Sequence, residues 1–250
     1  MFLYILCIIL ILLLIYIIYL NSENYKEEKY TAIIIEPREH TALYFVLNNF
    51  VENLSKKWNF IIFHGNKNIN YINNILKTPL LSKNIHRIKL INLNVDNLTI
   101  ENYNKLLVSK DFYNNIPTEI FLIFQTDSMI CKEYNYIIND FIKYDYVGAP
   151  LKSKLVGNGG LSLRRKSKML EILNDCDYKN EPEDVYFSVA CNKINVNKPS
   201  YEKAKKFSVE AVYNQTSFGV HKPWIFLNKY QMIDKNNYCN GVLNLRELNK

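Results

Sequence analysis

Four short segments of this 250-residue chain hold side chains able to do chemistry together. In Phe124-Gln-Thr-Asp-Ser128 an apolar run ends in Asp127. A carboxylate at the carboxyl end of a strand can hold a divalent cation that bridges a diphosphate, because hard cations take oxygen ligands. The plain alternative is a turn in which Asp and Ser cap the next segment. In Val156-Gly-Asn-Gly-Gly-Leu-Ser-Leu-Arg164 the clustered glycines expose backbone N–H groups to a sugar or phosphate oxygen. No Gly-Lys-Ser/Thr follows, so this is not a P-loop, and a tight bend between strands explains the glycines equally well. In Glu181-Pro-Glu-Asp-Val-Tyr-Phe187, Pro182 suits the first helical position and puts Glu183 and Asp184 in the first turn. There both acids complement the helix dipole, or one of them is the general base for an acceptor hydroxyl. In Phe218-Gly-Val-His-Lys-Pro-Trp224, His221 is a candidate metal ligand or a structural hydrogen-bonder. Lys222 is a candidate phosphate-binding charge, and Trp224 a sugar-stacking ring or a core residue. Competing nucleophiles lack support. Ser128 and Ser162 have no Gly-x-Ser-x-Gly elbow, and Cys131, Cys176 and Cys191 have no His at informative spacing.

The elements that position these segments alternate. Thr31–Glu36, Asn59–His64, His86–Leu93 and Glu119–Phe124 read as strands. Between them, Thr41–Ser55 reads as an amphipathic helix with Leu43, Val46, Leu47, Phe50 and Leu54 on one face, 67–77 as a helix, and 99–115 as one or two short helices. Strands alternating with helices predict an α/β layered fold with a mostly parallel central sheet. Ligands of such sheets bind outside the carboxyl ends of the strands, here Glu36–His40, His64-Gly65, Asn94–Asp96 and Gln125–Ser128. Further on, 145–164 reads as loop and strand around a site, 166–174 and 182–193 as helices, and 196–230 as irregular and aromatic-rich.

Composition narrows the function classes. Residues 2–20 carry no charge, Gly or Pro; as a helix they span about 28 Å, close to a bilayer's hydrocarbon core. The expected organisation is therefore a transmembrane anchor over 1–20, a tether over 21–30 and one domain over 31–250. The small-residue exit of a cleaved signal peptide is missing at Tyr19-Leu20-Asn21. Lys26 and Lys29 follow the run, and on the positive-inside rule they favour a cytosolic domain without deciding the side. The cysteines outside the run show no metal spacing and neither demand nor exclude an oxidising compartment. Net charge is +7, but no long basic run interleaves with aromatics, so nucleic acid is not an expected partner. With 34 Asn in the chain, single Asn residues and the Asn-x-Ser/Thr matches carry little information.

Taken in order, FQTDS, DYVGAP, VGNGGLSLR, PEDVYF and FGVHKPW, with IIIEPREH and WNFIIFHGNKN before them, resemble a family of glycosyltransferase-like domains found in large DNA viruses and microbes. More distantly the chain is similar to GT-A glycosyltransferases, which place an Asp-x-Asp at a strand end, a Gly-Gly segment before a helix, a Glu-Asp pair at a helix start and a late His on the metal. The resemblance implies a GT-A-like fold, a nucleotide-sugar donor and a glycan or glycoprotein acceptor. It implies Asp127 and His221 as metal ligands, Asp184 or else Glu183 as the base of an inverting displacement, and Gly159 and Gly160, with Trp224, on the acceptor side. Glu36 and Arg38 would form the nucleotide pocket, with Gln125 and with Lys222 or Arg164 at the diphosphate. Gln125 stands where the first Asp of the motif is expected, so a Mn or Mg site lacks one negative charge. That departure keeps a second class in view, a non-catalytic carbohydrate-binding or scaffold protein with the same fold. A nucleotidyltransferase would need two convergent carboxylates and a triphosphate site, which the sequence does not offer.

Overall fold

The computed structural model describes residues 11–14 and 29–250 apart from 154, 190 and 192. The expected anchor, except for a helical turn at 11–14, and nearly all of the expected tether lie outside the described residues. No helix among the described residues is long and apolar enough to cross a membrane.

The strands are β1 (Tyr30–Ile35), β2 (Trp58–His64), β3 (Ile88–Asn92), β4 (Ile120–Phe124), β5 (Ser128–Ile130), β6 (Tyr146–Val147), β7 (Leu161–Arg165), β8 (Ser208–Val209) and β9 (Gly219–His221). The helices are α1 (Leu43–Asn53), α2 (Ile69–Leu76), α3 (Pro79–Lys83), α4 (Ile100–Leu107), α5 (Lys110–Asn114), α6 (Lys166–Asp175), α7 (Glu183–Val189), α8 (Tyr201–Ala204), α9 (Lys229–Tyr238) and α10 (Val242–Glu247). The main sheet runs β3-β2-β1-β4-β7-β6. Its first four strands are parallel, while β7 runs antiparallel to β4 and β6 antiparallel to β7. From β1 the sheet winds outward to β3, and the chain returns to the other side of β1 at β4. That reversal opens a crevice at the carboxyl ends of β1 and β4.

Three of the expected strands, β1, β2 and β4, formed because both of their faces are buried, whereas β3 lies half-exposed at the sheet edge. Ala32 and Ile34, Phe60 and Ile62, and Leu122 and Phe124 face one core layer. Ile33 and Ile35, Ile61 and Phe63, and Phe121 and Ile123 face the other. Strands covered on both sides read as continuous apolar runs. The stripe expected on α1 is buried residue for residue against the first layer, and Phe50 stacks on Phe124. Burying one such side chain stabilises the fold by roughly 1.5–3 kcal/mol. The second layer is closed by α4 to α7, with Phe112, Tyr113, Met169, Ile172 and Phe187 against the sheet.

Residues 196–230 are not merely irregular. They include α8 and two strands of a small sheet of order β5-β9-β8. Its strands are only two or three residues long, too short for a sequence period to register. In it, β5 runs antiparallel to β9 with Ser128 opposite His221, and this register brings the segment after β4 to the segment around His221. Behind it, Met232 of α9 and Val242 and Leu245 of α10 complete the first core layer. Two disulfides, Cys131–Cys239 and Cys176–Cys191, join residues 108 and 15 apart in sequence.

Candidate functional site

The crevice at the ends of β1 and β4 is a cleft of about 490 Å³, and it gathers residues from all four chemistry-bearing segments, while the strand ends His64-Gly65 and Asn94–Asp96 do not line it. Glu36 and Arg38 come from the end of β1, and Gln125 and Asp127 from the end of β4. Gly159 and Gly160 precede β7, Glu183 and Asp184 open α7, and His221 and Lys222 close β9. A larger groove of about 710 Å³ lies between α1 and the C-terminal helices. It holds none of these side chains, and its Lys132 is already paired with Glu52, so the smaller cleft is the better chemical candidate.

At the floor of the cleft, His221 lies between two carboxylates. Its Nε2 is 3.2 Å from Asp127 Oδ1, and its Nδ1 is 3.3 Å from Glu210 Oε1. Burial alone would lower the imidazole pKa, but the two carboxylates outweigh it and raise it to about 9. Burial also works to raise the Asp127 pKa, yet the imidazole and the nearby Lys222 charge hold it below its ordinary value. Asp127 Oδ1 and both His221 ring nitrogens are buried with no hydrogen bond of good geometry. Such orphaned atoms on a carboxylate and an imidazole are donors that a divalent cation accepts. Glu210 behind Nδ1 has the place of the carboxylate that commonly orients a metal-bound His. The fit is partial. Among the described residues no group of three or more His, Cys, Asp or Glu could hold an ion, so a donor diphosphate and water would complete the shell.

The glycines are required by close approach. A Cβ on Gly160 would lie 2.1 Å from His221 Nε2, and one on Gly159 would lie 2.4 Å from Glu183 Oε1. The turn is pinned by Ser128 Oγ, which donates to the Gly160 carbonyl, and by the Gly160 N–H, which donates to Asn158 Oδ1. Asp184 is held open to the cleft. Its Oδ2 accepts from the Gly159 N–H at 3.1 Å and its Oδ1 from the Val185 N–H at 2.8 Å.

Glu183, the other candidate base, is not available for that role. Arg164 donates to both of its oxygens at 2.6 and 2.9 Å, with Arg164 at 0% and Glu183 at 4% exposure. Burial would lower the Arg164 pKa, but the Glu183 charge raises it well above its ordinary value. The expectation that Arg164 neutralises a diphosphate is corrected for the same reason: the guanidinium is enclosed by Glu183, Ser162 Oγ and the rings of Tyr146 and Phe187. Glu36, likewise, is a support. It is buried and takes a two-pronged hydrogen bond from Arg38, which stands exposed at the cleft wall. Gln125 donates its amide to the Tyr103 hydroxyl.

Lys222 is exposed on the rim, in no ion pair among the described residues. Its backbone is left-handed, φ 45°, a conformation uncommon outside glycine. This turn redirects the chain from β9 into Pro223–Ile225. Trp224 follows that turn out of the cleft and packs against the first core layer, in a groove with Leu227, Met232 and Leu243. The expected stacking role for Trp224 in this cleft is therefore corrected.

Sequence reasoning missed Glu210, Tyr103 and Asn104, whose Oδ1 accepts from the Glu183 N–H. Only the position of 99–115 after an expected strand pointed toward the last two.

A family described as "Protein of unknown function (DUF5672)" matches residues 87–221. No curated protein matches the sequence. Among solved structures, the apo-form glycosyltransferase GlyE of Streptococcus pneumoniae TIGR4 superposes with a TM-score of 0.52 at 8% identity, covering 88% of this chain and 62% of that one. Staphylococcus aureus TarS 1–349 in complex with UDP-GlcNAc gives a TM-score of 0.50 at 12% identity, over 88% of this chain and 70% of that one. A mannosyltransferase of Pyrobaculum calidifontis in complex with GDP-Man and Mn2+ gives 0.47 at 12% identity, over 64% and 50%. The fold is thus glycosyltransferase-like, an α/β layered structure with a mostly parallel sheet.

Proposed function

We propose that this chain, which belongs to the family described as "Protein of unknown function (DUF5672)", is a glycosyltransferase that moves a sugar from a nucleotide-sugar donor to a hydroxyl of a glycan or protein. One observation carries the reading: Asp127, Asp184, His221 and Lys222 come from three separate segments and line one cleft at the reversal point of the sheet. A structural role for each acid and base taken singly does not explain their convergence.

In this reading the donor lies across the carboxyl ends of β1 and β4, its diphosphate toward Lys222 and its nucleoside toward Arg38. The acceptor hydroxyl approaches Asp184, whose two backbone hydrogen bonds orient the carboxylate. Asp184 takes the hydroxyl proton as the oxygen attacks the sugar carbon opposite the departing diphosphate, which inverts that centre. The charge growing on the leaving group is met by Lys222 and by the imidazolium of His221, an arrangement already in place before reaction. A divalent cation held by Asp127 and the neutral imidazole of His221 would supply that charge neutralisation in place of the imidazolium, whose proton it must displace.

The test is a donor screen with full-length protein: nucleotide sugars, Mn2+ or Mg2+, and nucleoside diphosphate release as the readout. A chain that binds glycan and consumes no donor is instead the carbohydrate-binding scaffold, the reading that Gln125 favours.

Two outcomes follow for cofactor and location. Nucleoside diphosphate binds only modestly tighter with Mn2+ than in EDTA, because Gln125 withholds one of two charges and the cation must displace the proton that His221 retains up to pH about 9. Calorimetric titration checks it, and equal affinities would remove the metal from the mechanism. Residues 1–20 anchor the protein, so alkaline carbonate leaves the full-length chain in the membrane pellet; recovery in the supernatant contradicts the anchor.

A further inference from the structure

Four cysteines fall within the described residues, and all four are paired. The partners reach Cα separations of 4.5 and 5.5 Å from sequence separations of 108 and 15, inside the range that a disulfide permits. The pairs are independent of each other. Cys131 leaves β5, and Cys239 ends α9; both are fully enclosed. That bridge staples the C-terminal helices to the small sheet that carries His221. Cys176 ends α6 and Cys191 follows α7. The chain between them holds Glu183 and Asp184, so the second bridge closes a loop around the whole of α7. That helix has only seven residues, too few to be stable without tertiary support.

We propose that both disulfides are formed in the working protein, that the catalytic domain therefore lies on the oxidising side of its membrane, and that Cys176–Cys191 fixes the helix presenting Asp184. Each bond forms as two thiols give up two electrons and two protons to a disulfide-exchange oxidant of that compartment. Disulfides persist in such compartments and are reduced in the cytosol. Lys26 and Lys29 argue for the opposite side, but the positive-inside bias of only two lysines is small. Two complete pairings weigh more. Resting on the glycosyltransferase reading, the location also narrows the acceptor to glycans or proteins exposed in a lumenal or extracellular space.

The experiment uses full-length protein in sealed membrane vesicles. A mass-tagged maleimide, added after denaturation without reductant, labels none of Cys131, Cys176, Cys191 or Cys239, and labels all four after reduction. Added protease leaves the domain intact until detergent opens the vesicles. In the double variant Cys176→Ser/Cys191→Ser, amide hydrogen exchange in α7 speeds up by at least about tenfold while β1 and β4 are unchanged, because an open loop of this length is far less constrained. Free thiols at either pair, digestion in sealed vesicles, or unchanged exchange in α7 would overturn the proposal. None of these readouts needs transferase activity, so they can fail or succeed apart from the function assigned to the cleft.

Discussion

Asp184→Asn lowers turnover by roughly 10²–10⁴-fold, the usual worth of general-base catalysis, and leaves nucleoside diphosphate affinity within about twofold. The substitution keeps the shape of the side chain and one acceptor oxygen for the Gly159 or Val185 N–H, so the segment still folds. What disappears is the group that takes the acceptor proton in the proposed mechanism. Adjacent positions on a helix diverge by about 100°, and the structure has used this divergence: Glu183 turns inward to Arg164 while Asp184 turns to the cleft. Steady-state kinetics on the best donor from the screen gives kcat, and calorimetry gives the affinity. A variant that retains full transfer would reduce Asp184 to a helix-start residue that merely accepts two N–H groups. A loss confined to KM would make it a binding group instead of a base.

The parts of the fold that the sequence discloses are those whose physics is local. Runs such as Ala32–Ile35, Phe60–Phe63 and Ile120–Phe124 are apolar at every position because helices cover both faces of the sheet. Strand β3 is an edge strand, and its exposed Lys89 and Asn92 break an otherwise half-buried apolar run, so that its polar positions still mark it. The small sheet is invisible because Ser128–Ile130, Ser208–Val209 and Gly219–His221 are stabilised by pairing between distant segments, not by their own pattern. The candidate site divides along the same line. A strand end points to Asp127, a helix start to Asp184, and a His beside Gly and Pro-Trp to His221, but only the Ser128–His221 register brings Asp127 to the imidazole. Glu210 is a lone acid in an irregular stretch, and its partner is eleven residues away across a parallel strand pair; no spacing rule announces it. Trp224 misleads because it adjoins His221 in sequence, whereas the left-handed turn at Lys222 sends it to the other side. The cysteine pairs show no periodic or motif signal, since a disulfide needs spatial and not sequential proximity.

Glu183→Gln destabilises the domain by about 3–5 kcal/mol, because it leaves the Arg164 charge buried without its counter-ion. For a domain of this size, that corresponds to a Tm lower by roughly 6–20 °C. The guanidinium has no route to water: it is wholly enclosed, and Ser162 and two aromatic faces are its other neighbours. An amide offers one acceptor oxygen and turns an NH2 group toward a donor. Arg164→Met fails in the mirror sense by stranding the carboxylate. Replacing both partners, Arg164→Met with Glu183→Gln, costs less than either single change, since no charge is then left in the interior. Thermal unfolding of the three variants forms a cycle that isolates the pair. Equal losses in all three would mean that packing volume, not charge, governs this part of the core. The cycle also separates the two neighbouring acids by kind of effect. Asp184→Asn acts on the rate with the fold retained, and Glu183→Gln acts on the fold, so that whatever activity it loses follows the unfolded fraction and returns as temperature is lowered.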